Sequence, residues 1–127
     1  ISARLLHLSA EILRNLPDDD NLAALVTIYW HRGRAPAIYR GSGSWNHNQS
    51  KSLAGHTMLL AAFDPEHTNA GHLRTPWGFI NSWAAADAEL FWMEDEAFRR
   101  AWGFNLPVVG RNAGVVIARS NQNLPIE

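Results

Sequence analysis

The sequence predicts an α+β fold with an antiparallel β-sheet and flanking helices. Three observations support this class: short apolar runs rich in β-branched and aromatic residues, an opening segment with helical spacing, and no regular alternation of strands with helices. The chain has 127 residues, enough for one hydrophobic core. We therefore predict a single domain over residues 1–127.

The first predicted elements are a helix and a strand. Apolar side chains between Ser2 and Leu16 recur at spacings of three and four, which predicts an amphipathic helix that ends at Pro17. Leu25–Trp30 has no helix-breaking or strand-breaking residue and is rich in β-branched and aromatic side chains, so it is predicted to be a buried strand. Pro36–Tyr39 is predicted to be a short extended piece.

The middle and the end of the chain are predicted to form further strands joined by polar loops. Gly41–Ser52 is a polar, glycine-containing loop that holds Trp45. His56–Phe63 is the most apolar segment and predicts a central strand, which Asp64 and Pro65 end. The remaining predicted elements are a polar loop at Glu66–Pro76, strands at Trp77–Trp83, Leu90–Met93 and Val115–Ala118, and a short helix at Glu94–Trp102.

Composition and charge exclude several classes of function. The formal net charge of -1 removes the electrostatic argument for binding nucleic acid or an anionic membrane surface. The longest apolar stretches, such as Met58–Phe63, are far too short to span a bilayer. The chain contains no cysteine, which excludes disulfides, thiolate metal sites and a cysteine nucleophile within these 127 residues.

A metal site or a cofactor site is not predicted. Asp64, Glu66, His67 and His72 are suitable ligand types, but their spacing fits no helix face and no standard zinc motif. A solvated polar loop explains the same residues. Gly41–Ser44 lacks the lysine and the strand-to-helix context of a phosphate-binding loop.

One pair of residues is compatible with a catalytic role. His56 opens the most apolar strand and Asn81 closes the next one, so an antiparallel hairpin would bring both residues to the same end of the sheet. An asparagine oxygen that accepts a hydrogen bond from one imidazole N–H fixes the tautomer and leaves the other nitrogen to move a proton. The alternative is structural: His56 caps a strand and Asn81 starts a turn.

The same segments resemble the papain-like cysteine peptidases. Gly55–Asp64 resembles the histidine strand of that family, and Trp77–Trp83 resembles its Asn-Ser-Trp strand, of which the triplet is the specific part. The likeness covers roughly residues 10–120, although it matches only the β-rich, right-hand domain of the family, a half-barrel. Three further segments carry it: Leu25–Trp30, Ala37–Gly41 and Glu89–Met93.

The resemblance implies roles for individual residues. His56 would deprotonate a cysteine and later protonate the leaving amine, Asn81 would orient His56, and Trp83, supported by Ser82 in the same triplet, would shield their hydrogen bond from water. The chain departs from the family in three respects. The nucleophilic cysteine and the oxyanion-hole glutamine are missing, and Ala84–Asp87 replaces the glycine-rich segment after the triplet.

Three explanations of the missing cysteine remain open. A second polypeptide segment supplies the nucleophile, as in a processed chain; or the nucleophile lay near the first helix and was substituted or omitted; or the domain is inactive and binds a peptide or protein partner. In the third case the tryptophans would line the groove: Trp45, Trp77 and Trp83. The resemblance permits secretion or delivery outside the producing cell, because bacterial members of the family are often exported.

Overall fold

A computed structural model describes residues 2–31, 34–40, 43–45, 54–69, 72–81 and 90–119. Within these ranges the chain is mostly antiparallel sheet with two α-helices, in agreement with the α+β class. The helices are α1 (Ala10–Leu13) and α2 (Asp95–Trp102). The strands are β1 (Ser2–His7), β2 (Leu22–Trp30), β3 (Ile38–Arg40), β4 (Gly43–Trp45), β5 (Ala54–Phe63), β6 (Thr68–Asn69), β7 (Leu73–Arg74), β8 (Trp77–Asn81), β9 (Phe91–Met93) and β10 (Ala113–Ala118).

Eight of these strands form one sheet in the order β1-β10-β2-β5-β8-β9-β3-β4, and β6 pairs with β7 in a separate hairpin. The predicted strands at Leu25–Trp30, His56–Phe63, Leu90–Met93 and Val115–Ala118 are confirmed, and so is the predicted helix near the end of the chain. β5 occupies the middle of the sheet, between β2 and β8. The histidine strand is therefore held on both sides by backbone hydrogen bonds.

The core lies on one face of this sheet. β2 alternates buried and half-buried residues from Ala24 to Trp30, which is the period of a strand with one covered face. Helix α2 packs against β2 and contributes the buried Phe98 and Trp102. The rings of β8 and α2 therefore meet inside one aromatic cluster, formed by Trp77, Phe79, Phe98 and Trp102.

The helix predicted over Ser2–Leu16 is wrong for most of its length. Ser2–His7 is strand β1 and pairs antiparallel with β10, from Ser2 opposite Ala118 to His7 opposite Ala113. Helix α1 covers four residues, capped by the Ser9 hydroxyl, which accepts a hydrogen bond from the Ile12 N–H at 3.1 Å. A short isolated helix is marginal in water, so pairing with a strand more than a hundred residues away overrides the local spacing.

Trp45 lies in a strand and not in a loop. β4 pairs antiparallel with β3, and Trp45 stands opposite Ile38. The prediction missed this strand because glycine and serine dominate the segment before Trp45, whereas β4 is held by its partner strand. The remainder of the predicted loop, residues 41–42 and 46–52, lies outside the described residues, and so does the side chain of Trp45.

A strained turn before β10 gives a stability prediction. Val108 has φ of 71°, and the Val109 N–H donates to the Pro107 carbonyl at 2.8 Å, so Val108 is the centre of a γ-turn with positive φ. A β-branched residue is strained there, and Val108 is fully exposed. We expect Val108→Gly to raise the free energy of unfolding by about 1 kcal/mol. Urea unfolding checks this, with Val109→Gly as the matched control that brings no gain.

Candidate functional site

The predicted hairpin between the histidine strand and the asparagine strand is present. β5 and β8 pair antiparallel, with Met58 opposite Asn81 and Leu59 opposite Ile80. His56 lies two residues before Met58 on the same strand, so positions 56 and 81 are diagonal neighbours on one face of the sheet. Diagonal positions are separated by about 7–8 Å, within reach of an imidazole and a carboxamide.

His56 is held in the interior. Its side chain is 4% exposed, and on the other side of β5 it stands opposite Ile28 of β2. Its neighbours Ile28 and Met58 are buried on the same face. Among the residues that the structure describes, His56 and Thr75 are the buried polar side chains. Because an unsatisfied polar group in the interior is costly, such a histidine is fixed by the groups around it, which is what an oriented proton carrier requires.

The described geometry ends at the backbone of Asn81. Its side chain, together with Ser82 and Trp83, lies outside the described residues. The structure therefore brings together the positions of His56 and Asn81 through the register of two strands. The hydrogen bond between their side chains and the shielding role of Trp83 stay predictions.

Trp77 belongs to the core and not to a groove. Its side chain is fully buried, and its ring packs against Phe63 and Phe98 at centroid distances of 4.7 and 4.6 Å. Its indole N–H donates to Asp95 Oδ1 at 2.8 Å. The prediction that Trp77 lines a groove is therefore wrong, because every part of the ring is packed against protein. The strand pattern alone could have shown this, since Trp77 shares a face with Phe79.

Trp30 is a neighbour of His56 that the sequence did not single out. It lies on β2, two residues beyond Ile28, and stands opposite Ala54 of β5. Its side chain is 4% exposed. Trp30 therefore lies on the same face as His56. It is the diagonal neighbour of His56 on the β2 side, as Asn81 is on the β8 side. The signal was available in the alternation of β2, where Ile28 and Trp30 occupy equivalent positions.

The segment that carries His67 is a folded hairpin in place of the predicted polar loop. Asp64 Oδ1 accepts a hydrogen bond from the Glu66 N–H at 3.0 Å, and Glu66 pairs with Arg74 at 3.7 Å. In the part of the chain that the structure describes, no group of three or more His, Cys, Asp or Glu side chains is arranged to hold a metal ion. The Asp64 carboxylate caps the turn at Glu66, and the Glu66–Arg74 ion pair lies on the exposed surface.

His67 is a structural histidine with a fixed tautomer. Thr75 Oγ1 donates to Asn69 Oδ1 at 2.5 Å, so its oxygen accepts from His67 Nδ1 at 3.0 Å. The Thr75 carbonyl, also an acceptor, lies 3.2 Å from the same nitrogen. Nδ1 therefore carries the proton. The ring stacks on Trp92 with centroids 3.5 Å apart.

We expect Thr75→Val to lower the free energy of unfolding by about 2 kcal/mol, because the buried hydroxyl links two side chains. Urea denaturation measures this loss. Thr75→Ser is the control, since it keeps the hydroxyl and should lose less. A Val variant as stable as the wild type would show that the Thr75 hydroxyl contributes nothing to the fold.

Comparisons with protein-family models, with curated proteins and with solved structures found no match to this chain. Within the described residues, no helix has the length and apolar character needed to cross a membrane.

Proposed function

We propose that this chain supplies the histidine and the asparagine of a papain-like thiol peptidase, whose nucleophilic cysteine lies on another polypeptide segment. The observation that carries the proposal is the register of β5 and β8, which makes positions 56 and 81 diagonal neighbours on one face. The antiparallel sheet corresponds, in this proposal, to the half-barrel of the family's right-hand domain. The substrate is a peptide or protein.

The chemistry assigns one proton path to His56. The imidazole takes the proton of the cysteine thiol, and the resulting thiolate attacks the carbonyl carbon of the substrate. The imidazolium then gives this proton to the leaving amine as the C–N bond breaks. In the second half, His56 deprotonates a water molecule, whose oxygen attacks the thioester, and the thiol leaves with the proton.

The asparagine and the sheet would hold His56 for both halves of this reaction. The Asn81 carboxamide oxygen accepts from one imidazole N–H, which leaves the other nitrogen toward the sulfur. Strand β5 lies between two partner strands, so the backbone at His56 is fixed by pairing with β2. A proton carrier on a rigid strand keeps its geometry better than one on a loop.

The second candidate function is an inactive papain-like domain that binds a peptide or protein. The absence of cysteine from all 127 residues favours it. The burial of Trp77 weakens it, because a tryptophan-lined groove would then depend on Trp45 and Trp83 alone. The two functions differ in whether a reactive thiol accompanies the chain.

The test is the intact mass, under denaturing conditions, of every species in protein purified from its native source, after reaction with an epoxysuccinyl thiol probe. N-terminal sequencing identifies each species. We expect a second chain, or a longer one containing cysteine, that carries one probe mass. The same sample blocked beforehand with iodoacetamide is the control. A single species without cysteine and without probe would overturn the peptidase proposal and leave the binding domain.

A further inference from the structure

A cavity of about 570 Å³ opens between the end of β2, the segment 34–37 and helix α2. Its volume falls in the range of about 300–1,000 Å³ that is usual for small-molecule sites. Most of its wall is apolar or aromatic. The wall residues include Tyr29, Trp30, Pro36, Ala97, Ala101 and Phe104.

Four polar side chains also line this cavity: His31, Arg34, Glu94 and Arg100. Arg100 is bound on one side, where its Nη2 donates to Glu96 Oε1 at 2.8 Å. Across the described part of the chain, the exposed side chain of Arg34 and the half-buried side chain of Glu94 have neither a hydrogen-bond nor an ion-pair partner. The cavity thus offers a guanidinium whose donors are unused by the fold.

We propose that this cavity binds a small organic anion, a carboxylate attached to an aromatic or branched apolar body. Arg100 is already paired with Glu96, so the preference for an anion rests on Arg34, whose guanidinium no carboxylate of the described chain engages. A guanidinium also matches a carboxylate with two parallel hydrogen bonds. The apolar body would pack against Trp30 and Phe104, and the ring of Phe104 already contacts His31 edge to face at 4.9 Å.

The side chain of Trp30 connects the cavity to the neighbourhood of His56. Trp30 lines it and stands two residues beyond Ile28, the strand partner of His56. Binding here requires no cysteine, so it is independent of the peptidase proposal. It is measurable on the present chain, whichever function that chain has.

The test is a titration of the ¹⁵N-labelled chain with 4-phenylbutyrate, followed by amide shifts of the segment 34–37 and of α2. Three matched probes accompany it. 4-Phenylbutanol is neutral and 4-phenylbutylamine is cationic, whereas acetate keeps the carboxylate and lacks the apolar phenylpropyl group. We expect phenylbutyrate to bind about tenfold more tightly than the alcohol and the amine. Acetate should not shift these amides.

Two variants localise the binding. Arg34→Gln should weaken phenylbutyrate about tenfold and leave phenylbutanol within about twofold. The matched control is Arg14→Gln, an exposed arginine at the end of α1 that is expected to change neither value. Ala97→Phe should fill the cavity and remove both ligands, with thermal unfolding as the check that α2 still folds.

Three results would overturn the proposal. Equal affinities for the acid, the alcohol and the amine would refute the anion preference. An unchanged affinity of the Arg34→Gln variant for phenylbutyrate would refute the role of Arg34. This outcome can be read even if the Ala97→Phe variant does not fold. The absence of shifts around the cavity at millimolar phenylbutyrate would refute the site itself.

Discussion

In the proposed peptidase, replacing His56 by glutamine is expected to lower kcat/KM for peptide hydrolysis about a thousandfold, because a carboxamide cannot carry the proton in either direction. The assay uses a peptide substrate and the assembly with the separate cysteine segment that the proposal requires. Glutamine suits this position because His56 is buried between Ile28 and Met58, where alanine would leave a hole. The loss should therefore appear in turnover and not in the fold.

Asn81→Ala is expected to cost less, about tenfold to a hundredfold in kcat/KM, because it removes a positioning group and leaves the proton carrier. It also gives a readout that needs no cysteine. The ¹⁵N shifts of the two His56 ring nitrogens report the tautomer, which should become a mixture in the Asn81→Ala variant. A purely structural asparagine at a turn would leave these shifts unchanged.

His72→Asn is the matched control for both variants. His72 is exposed and has φ of 62°, a conformation that asparagine tolerates well. We expect it to keep full activity and the wild-type His56 tautomer. Turnover equal to wild type in His56→Gln would contradict the peptidase proposal, whereas the binding alternative predicts unchanged peptide affinity in both site variants.

The strands could be predicted from the sequence where an apolar run contains no strand-breaking residue. β2 is rich in β-branched and aromatic side chains and β5 contains the most apolar run of the chain, so local pattern and final pairing agree. β1 shows the limit of this approach. Leu5 and Leu6 fit a helical stripe as well as an edge strand, and what decides is β10, whose pairing with β1 no local window contains.

The site was predictable to the level of strand pairing. The order of His56 and Asn81 along the chain, with one hairpin between them, was enough to predict their shared end of the sheet. Trp77 was assigned to a groove, although its place two residues before Phe79 on the same strand already predicts a core position. The cavity beside Trp30 was missed because α2 and the segment 34–37 meet through tertiary packing, which no spacing in the sequence encodes.

Removing the ring of Phe98 is expected to have the largest effect on stability. Phe98 is fully buried in α2, and its ring lies 4.6 Å from Trp77, 5.3 Å from Phe79 and 5.5 Å from Trp102 between centroids. We expect Phe98→Ala to lower the free energy of unfolding by about 4 kcal/mol, measured by urea denaturation. Two contributions add to this loss: the transfer free energy of the phenyl group that is no longer buried, and the cost of the cavity that remains because the neighbouring rings cannot move into it.

Phe104→Ala is the matched control, because it removes the same group from a half-buried position. Its expected cost is about 1 kcal/mol. Equal losses in the two variants would show that Phe98 is not the centre of the core. Because Trp77 and Phe79 lie on β8, the strand that carries Asn81, the cluster also fixes β8 against α2. Phe98→Ala should therefore disturb the His56 tautomer at urea concentrations where Phe104→Ala leaves it intact.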